Sequence, residues 1–131
     1  MPRVVHFEFA ADDPERAVRF WSEAFGWHVK HWEGPQDYWL VTTGGEGEVG
    51  IDGGIMRRSD FSESSTGAIV TLDVRSVDEA TSGVERAGGT IVVPKMAIPG
   101  VGWLAYCKDT EGTIFGVMES DESAGPEGEA A

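Results

Sequence analysis

Cysteine is nearly absent: Cys107 is the only one in 131 residues. It has no internal disulfide partner, so the fold must hold by packing, as expected in a reducing compartment. Lysine is scarce too, at Lys30, Lys95 and Lys108 only, and 10 basic residues face 23 acidic ones for a net charge of −13. A chain so poor in clustered cations is not expected to bind nucleic acid or anionic lipid. No apolar run approaches the roughly 18–20 residues of a membrane span. The N-terminus lacks the basic-then-apolar order of a signal peptide, and a cytoplasmic location is expected. The acidic balance fits a salt-rich cytosol and equally an ordinary protein with an acidic tail.

Hydrophobic residues still make up 40% of the chain, enough for the core of one domain. Val4–Ala10 reads as a strand. Asp13 then stands at a helix N-cap with Pro14 at the first helical position. Ala17, Phe20, Trp21, Ala24 and Phe25 follow at helical spacing and Gly26 stops the run. Three short strands are expected over Trp27–Trp32, Tyr38–Thr42 and Gly50–Ile55, with Gly and Pro between them. The pattern then recurs. Ala68–Val74 reads as a strand, and Ser76 and Glu79 form a capping box. Val77, Ala80, Val84 and Ala87 make a second stripe, closed by Gly88 and Gly89. Strands over Thr90–Pro94, Trp103–Lys108 and Ile114–Glu119 complete the second half.

A shift of 63 residues places Ala17 on Ala80, Ala24 on Ala87, Gly26 on Gly89 and Gly53 on Gly116. The third strands need a slip of one, pairing Trp39 and Leu40 with Trp103 and Leu104. This is an internal repeat of one supersecondary unit. Its copies span about 3–55 and 67–119 within a single domain, 1–120. A polar linker, Arg57–Thr66, joins them. Residues 121–131 (DESAGPEGEAA) carry four acids and no apolar pattern, and an acidic disordered tail is expected there.

The stretch VVHFEFAADDPERAVRFWSEAFGW, with its paired aromatics Phe20 and Trp21, resembles the opening of vicinal oxygen chelate proteins. The second half is similar to their closing module, above all in the turn Asp109–Gly112. That superfamily includes glyoxalases, bleomycin resistance proteins, extradiol dioxygenases and epimerases. The resemblance implies an α+β fold: two βαβββ modules in pseudo-twofold arrangement, forming a curved sheet around a cleft. It also implies a homodimer.

The family's usual chemistry uses a divalent metal as a Lewis acid. Its ligand positions fall here on His6, about Gly53, Ile69 and Gly116. Only His6 offers a donor, whereas a stable site needs three or four protein ligands. No cofactor is therefore expected. A metal would require His6 and Glu8 plus a third donor such as Asp73.

Strand alternation identifies the residues facing the implied cleft. His6 and Glu8 share a face of the first strand, opposite Phe7 and Phe9. Thr71 and Asp73 accompany Ile69, and Met118 accompanies Gly116, while Glu119 turns to the outer face. Trp39 and Trp103, taken as equivalents, are expected to offer aromatic walls. The candidate ligand-binding set is thus His6, Glu8, Trp39, Thr71, Trp103 and Met118. His28 and His31 fall on opposite faces of one strand and are expected to be solvated. Cys107 is expected to be a buried, inert thiol.

Three functions stay open at this point. The first is binding of a small organic molecule, with or without turnover, without the usual metal site. The second is a metal-dependent lyase, isomerase or dioxygenase. The third is an antibiotic-sequestering protein holding a cationic, aromatic drug.

Overall fold

The computed structural model describes residues 1–58 and 67–125. Most of the linker expected over 57–66 lies outside the described residues. The elements run β1 (Arg3–Ala11), α1 (Pro14–Phe25), β2 (His28–His31), β3 (Tyr38–Thr42), β4 (Gly53–Arg57), β5 (Ala68–Asp73), α2 (Val77–Arg86), β6 (Thr90–Ile98), β7 (Gly102–Lys108) and β8 (Ile114–Ser120). The fold is α+β, a βαβββ module repeated once. The chain divides into two compact units, Val5–Ile69 and the segment from Val70 together with Met1–Val4.

Both modules use one strand order. The strands of the first module run β2-β3-β4-β1 and those of the second β6-β7-β8-β5. The outer pairs are antiparallel, while β1 lies parallel to β4 and β5 parallel to β8. The parallel partners are joined through a helix and two strands, because no tight turn can link parallel neighbours.

Both helices begin where their caps dictate. The Asp13 carboxylate accepts from the Arg16 N–H at 3.2 Å, and the Ser76 hydroxyl oxygen accepts from the Glu79 N–H at 3.1 Å. These bonds satisfy amides that the helix itself leaves unpaired. At α1 the chain exits through Gly26, whose φ of 73° is left-handed, a conformation open to glycine at little cost.

Each helix covers one face of its own sheet. Under α1 lie Trp39, Val41 and Ile55, flanked by Phe7, Phe9, Ala17 and Trp21. Under α2 lie Ala105, Cys107 and Val117, packed with Val77 at the start of the helix and flanked by Leu72, Val84 and Trp103. Cys107 is fully buried, and burial pushes its thiol pKa up, so it packs as a small apolar side chain.

The ladders correct the register of the repeat. Phe9 pairs with Ile55 and Ile55 with Trp39; in the second module Leu72 pairs with Val117 and Val117 with Ala105. Trp39 therefore corresponds to Ala105, not Trp103, and Val41 to Cys107. Gly54, opposite Glu8, corresponds to Gly116, opposite Thr71. The shift of 63 holds for the first strands and the helices but not for the third and fourth strands. The β3–β4 connection, 43–52, is longer than the β7–β8 turn at 109–113, so no single offset can serve.

Of the stretch expected to be a disordered tail, residues 121–125 are among the described residues and contact the rest of the chain. Asp121 accepts from the Trp103 indole N–H at 3.0 Å, and the Asp121 N–H donates to the Val101 carbonyl at 2.9 Å. Ala124 is buried, and its carbonyl accepts from the Gly100 N–H at 2.8 Å. Hydrogen bonds from Ser123 and Trp103 hold the Asp121 carboxyl below the usual carboxylate range. The rest of the acidic stretch, 126–131, lies outside the described residues. A chain ending at Ser120 is thus expected to melt lower than one ending at Gly125. Equal melting temperatures by calorimetry would show that Asp121–Gly125 contributes nothing to stability.

Candidate functional site

Alternation along β1 divides its side chains. Phe7 and Phe9 enter the aromatic cluster under α1, with Phe9 stacked on Trp21 at 5.1 Å between centroids. His6 and Glu8 therefore emerge on the opposite face. The ladder adds Leu40 and Gly54 beside Glu8, then Tyr38 and Met56 one step further along.

Tyr38 is the residue that the sequence reading missed. Its hydroxyl lies 2.8 Å from His6 Nε2, a hydrogen bond across 32 residues of sequence. Gly54 makes this reach possible. A Cβ at Gly54 would collide with the Tyr38 hydroxyl and ring, so the phenol lies where a side chain would otherwise be. The neighbouring Gly53 has the same relation to Phe7 on the helix side. The adjacent glycines thus admit one aromatic ring on each face of β4.

Glu8 Oε2 lies 4.0 Å from His6 Nε2, and the Glu8 side chain is only 7% exposed against 31% for His6. Asp52 also bears on His6 electrostatically. Asp52 is fixed by Thr43, whose N–H donates to its carboxylate at 2.8 Å. With Thr43, Glu46 and Glu48 it lines a depression of about 430 Å³ in the β3–β4 connection. Burial lowers the His6 pKa, while the carboxylates of Glu8 and Asp52 oppose that shift. At neutral pH the imidazole is uncharged, with one nitrogen able to accept a proton.

The remaining predicted residues divide. Thr71 and Met118 do lie on the face of the second sheet away from α2, with Gly116, Leu104 and Tyr106. Trp39 and Trp103 do not share that orientation in their own modules. Trp39 is buried under α1. Trp103 packs with the α2 cluster, its indole bonded to Asp121 and its ring 4.8 Å from Lys95 Nζ. Their neighbours explain the correction: Trp39 alternates with Tyr38 and Leu40, and Trp103 is in step with Ala105 and Cys107. Glu119 faces outward as expected, and its carboxylate accepts from the Val77 N–H at 3.0 Å, completing the N-terminus of α2. His31 lies on the edge strand β2, 2.9 Å from Asp37, which also meets Arg57 at 2.9 Å.

The implied metal does not fit these residues. Ile69 offers hydrocarbon, and Gly54 and Gly116, matched by the ladders, offer no side chain. A side chain at Gly54 would strike the Tyr38 ring, and one at Gly116 would crowd Thr71. The described residues contain no group of three or more His, Cys, Asp or Glu able to hold a metal ion.

The comparisons agree with this architecture. The model of the Glyoxalase/Bleomycin resistance protein/Dioxygenase superfamily matches residues 3–116. Methylmalonyl-CoA epimerase from Mycobacterium tuberculosis is similar in structure, with a TM-score of 0.67 at 16% identity, covering 98% of this chain and 91% of that one. A superfamily member from Vibrio splendidus 12B01 gives 0.63 at 15% identity, covering 92% and 100%. A hypothetical protein from Bacillus halodurans C-125 gives 0.69 at 12%, covering 95% and 98%. At such identities the likeness is one of fold. No curated protein matches the sequence.

Gly54→Ala is expected to push Tyr38 off His6 and to destabilise the fold by about 1–3 kcal/mol, as overpacking does. In a spectrum of the variant, the His6 ring should titrate nearer its ordinary value as water replaces the phenol. The sign for stability follows from the lowered pKa of His6. The unfolded chain takes up the proton first, so the stability is full above the ordinary histidine value of about 6.5 and is lost as pH falls toward the lowered folded value. His6→Gln should therefore gain on the wild type between about pH 7 and 5 in denaturant titrations. Parallel curves would place the lowered pKa elsewhere.

Proposed function

The chain belongs to the Glyoxalase/Bleomycin resistance protein/Dioxygenase superfamily, and on that premise we propose that it binds a small organic molecule at His6, Tyr38 and Glu8 without the family's usual metal site. One observation carries the reading: the 2.8 Å bond between His6 and Tyr38 on the sheet face away from α1, with the Glu8 carboxylate 4.0 Å away. A histidine and a carboxylate on an otherwise apolar strand cost stability unless they are solvated, paired or used.

The chemistry open to this group is proton acceptance. Burial keeps His6 neutral at rest, and Glu8 and Asp52 stabilise the imidazolium once it forms. A ligand hydroxyl, ammonium or activated C–H is the matching donor. Tyr38 can shift its hydrogen bond from His6 to a ligand oxygen.

The test is thermal-shift screening of small carboxylates, diketones, phenols and cationic antibiotics, followed by calorimetry of each hit. Tyr38→Phe and His6→Gln should weaken a true ligand by about tenfold each, the worth of a hydrogen bond to a polar partner. Hits that bind all three proteins equally would remove this group from the site. One tightly bound zinc, manganese or ferrous ion per chain, lost in His6→Gln, would favour the metal-dependent reading instead.

A further inference from the structure

The ladders of the first module carry the face of His6 and Glu8 across to its edge strand. Val29 on β2 packs into the cluster under α1. Alternation therefore turns His28 and Lys30 to the opposite face, which is the face of His6. The pairing makes a continuous row: Lys30 stands beside Leu40, Leu40 beside Gly54, and Gly54 beside Glu8. Residues paired across a ladder share a face, so the row crosses four strands on one side.

The chemistry changes along this row. Glu8, with His6 and Tyr38, forms the polar group at one end. Gly54 has no side chain, and the Tyr38 ring and hydroxyl lie over it. Leu40 is 40% exposed, although β3 has a strand on each side. Lys30 ends the row and is exposed. None of the ion pairs among the described residues involves it. The chain has only three lysines, and Lys95 is engaged by Asp78 and the Trp103 ring. An edge lysine also keeps one sheet from pairing with another. That role requires neither an exposed leucine beside it nor a histidine–tyrosine pair at the far end of its row.

An apolar floor with a cation at one end and a proton acceptor at the other fits a ligand of the complementary order. Its body is flat and apolar, to lie on Leu40 and the Tyr38 ring. Its proton donor meets His6. Charge fixes which end is anionic, because Glu8 and Asp52 both act on His6 and would repel an anion there. The length follows from the sheet. From Gly54, where the Tyr38 hydroxyl lies, to β2 is two strand spacings, roughly 9–10 Å. A benzene ring with a hydroxyl at one end and a short carboxylate chain at the other spans that distance.

We propose that Lys30 determines the specificity of this site, and that the ligand is a phenolic acid whose hydroxyl meets His6 and Tyr38 while its carboxylate pairs with Lys30. The proposal rests on the ligand reading above and names its ligand class. Isothermal titration of the full chain with para-hydroxyphenylpropanoate, its primary amide and phenylpropanoate tests it. The hydroxy acid should bind about tenfold more tightly than either analogue, the worth of one charge-assisted or polar contact. Its affinity should fall as salt rises. Lys30→Gln should cost the hydroxy acid about tenfold and leave the amide unchanged, and Lys30→Arg should keep the preference for the acid. Lys30 is exposed, so both variants should fold as the wild type does. His6→Gln and Tyr38→Phe should level the hydroxy acid with phenylpropanoate. Equal binding of acid and amide by the wild type, or an equal loss of both in Lys30→Gln, would overturn the role of Lys30. The His6 reading would survive that result if His6→Gln still weakened both. Binding that depends on Lys30 but ignores His6→Gln and Tyr38→Phe would overturn the ligand reading itself. Absence of binding by all three compounds at millimolar concentration would overturn the phenolic acid.

Discussion

Each module has one helix over its strands, and the side chains under that helix must be apolar. Side chains alternate along a strand, and this single requirement sorts every residue of the module at once. Phe7, Phe9, Trp39, Val41 and Ile55 go under α1. His6, Glu8, Tyr38 and Leu40 are left on the other side. A slip of one residue in β1 would bury a histidine and a glutamate against Trp21 and expose two phenylalanines. The polar group thus owes its place to the aromatic residues it is not touching.

The second module obeys the same rule with different chemistry. Through the ladders, His6 corresponds to Ile69, Glu8 to Thr71 and Tyr38 to Leu104. The buried positions keep their apolar character across the repeat, because both modules must solve the same packing problem. The opposite faces are free of that requirement and have diverged. One bears an ionisable group, and the other is largely apolar apart from Thr71 and Asp73. A symmetric metal site needs donors from both modules, and the second module supplies hydrocarbon where one is required.

Glycine sets the geometry of the polar group. Gly53 and Gly54 open β4 where a side chain on either face would meet a ring, Phe7 on one and Tyr38 on the other. The strand forgoes two side chains of packing and thereby brings a phenol from β3 within reach of a histidine on β1. In the sequence these glycines read only as part of an expected strand, Gly50–Ile55. Their role depends on rings carried by the neighbouring strands β1 and β3, which no local pattern contains.

The sequence by itself determined the class of fold, the two modules, both helix caps and the face on which His6 and Glu8 emerge. Each rests on interactions between residues close in the chain: a cap reaches three residues, a helix stripe repeats every three or four, and a strand alternates every two. Only the tertiary structure decided the register of the third and fourth strands against the first. That register put Trp39 and Trp103 under the helices, brought Tyr38 to His6, and tied Asp121 to Trp103. The reason is physical. Alternation gives the relative facing of residues within one strand, but a strand slid by two residues along its neighbour keeps the same alternation. The choice among such registers falls to the fit of side chains across strands, here the space that Gly53 and Gly54 leave for two aromatic rings.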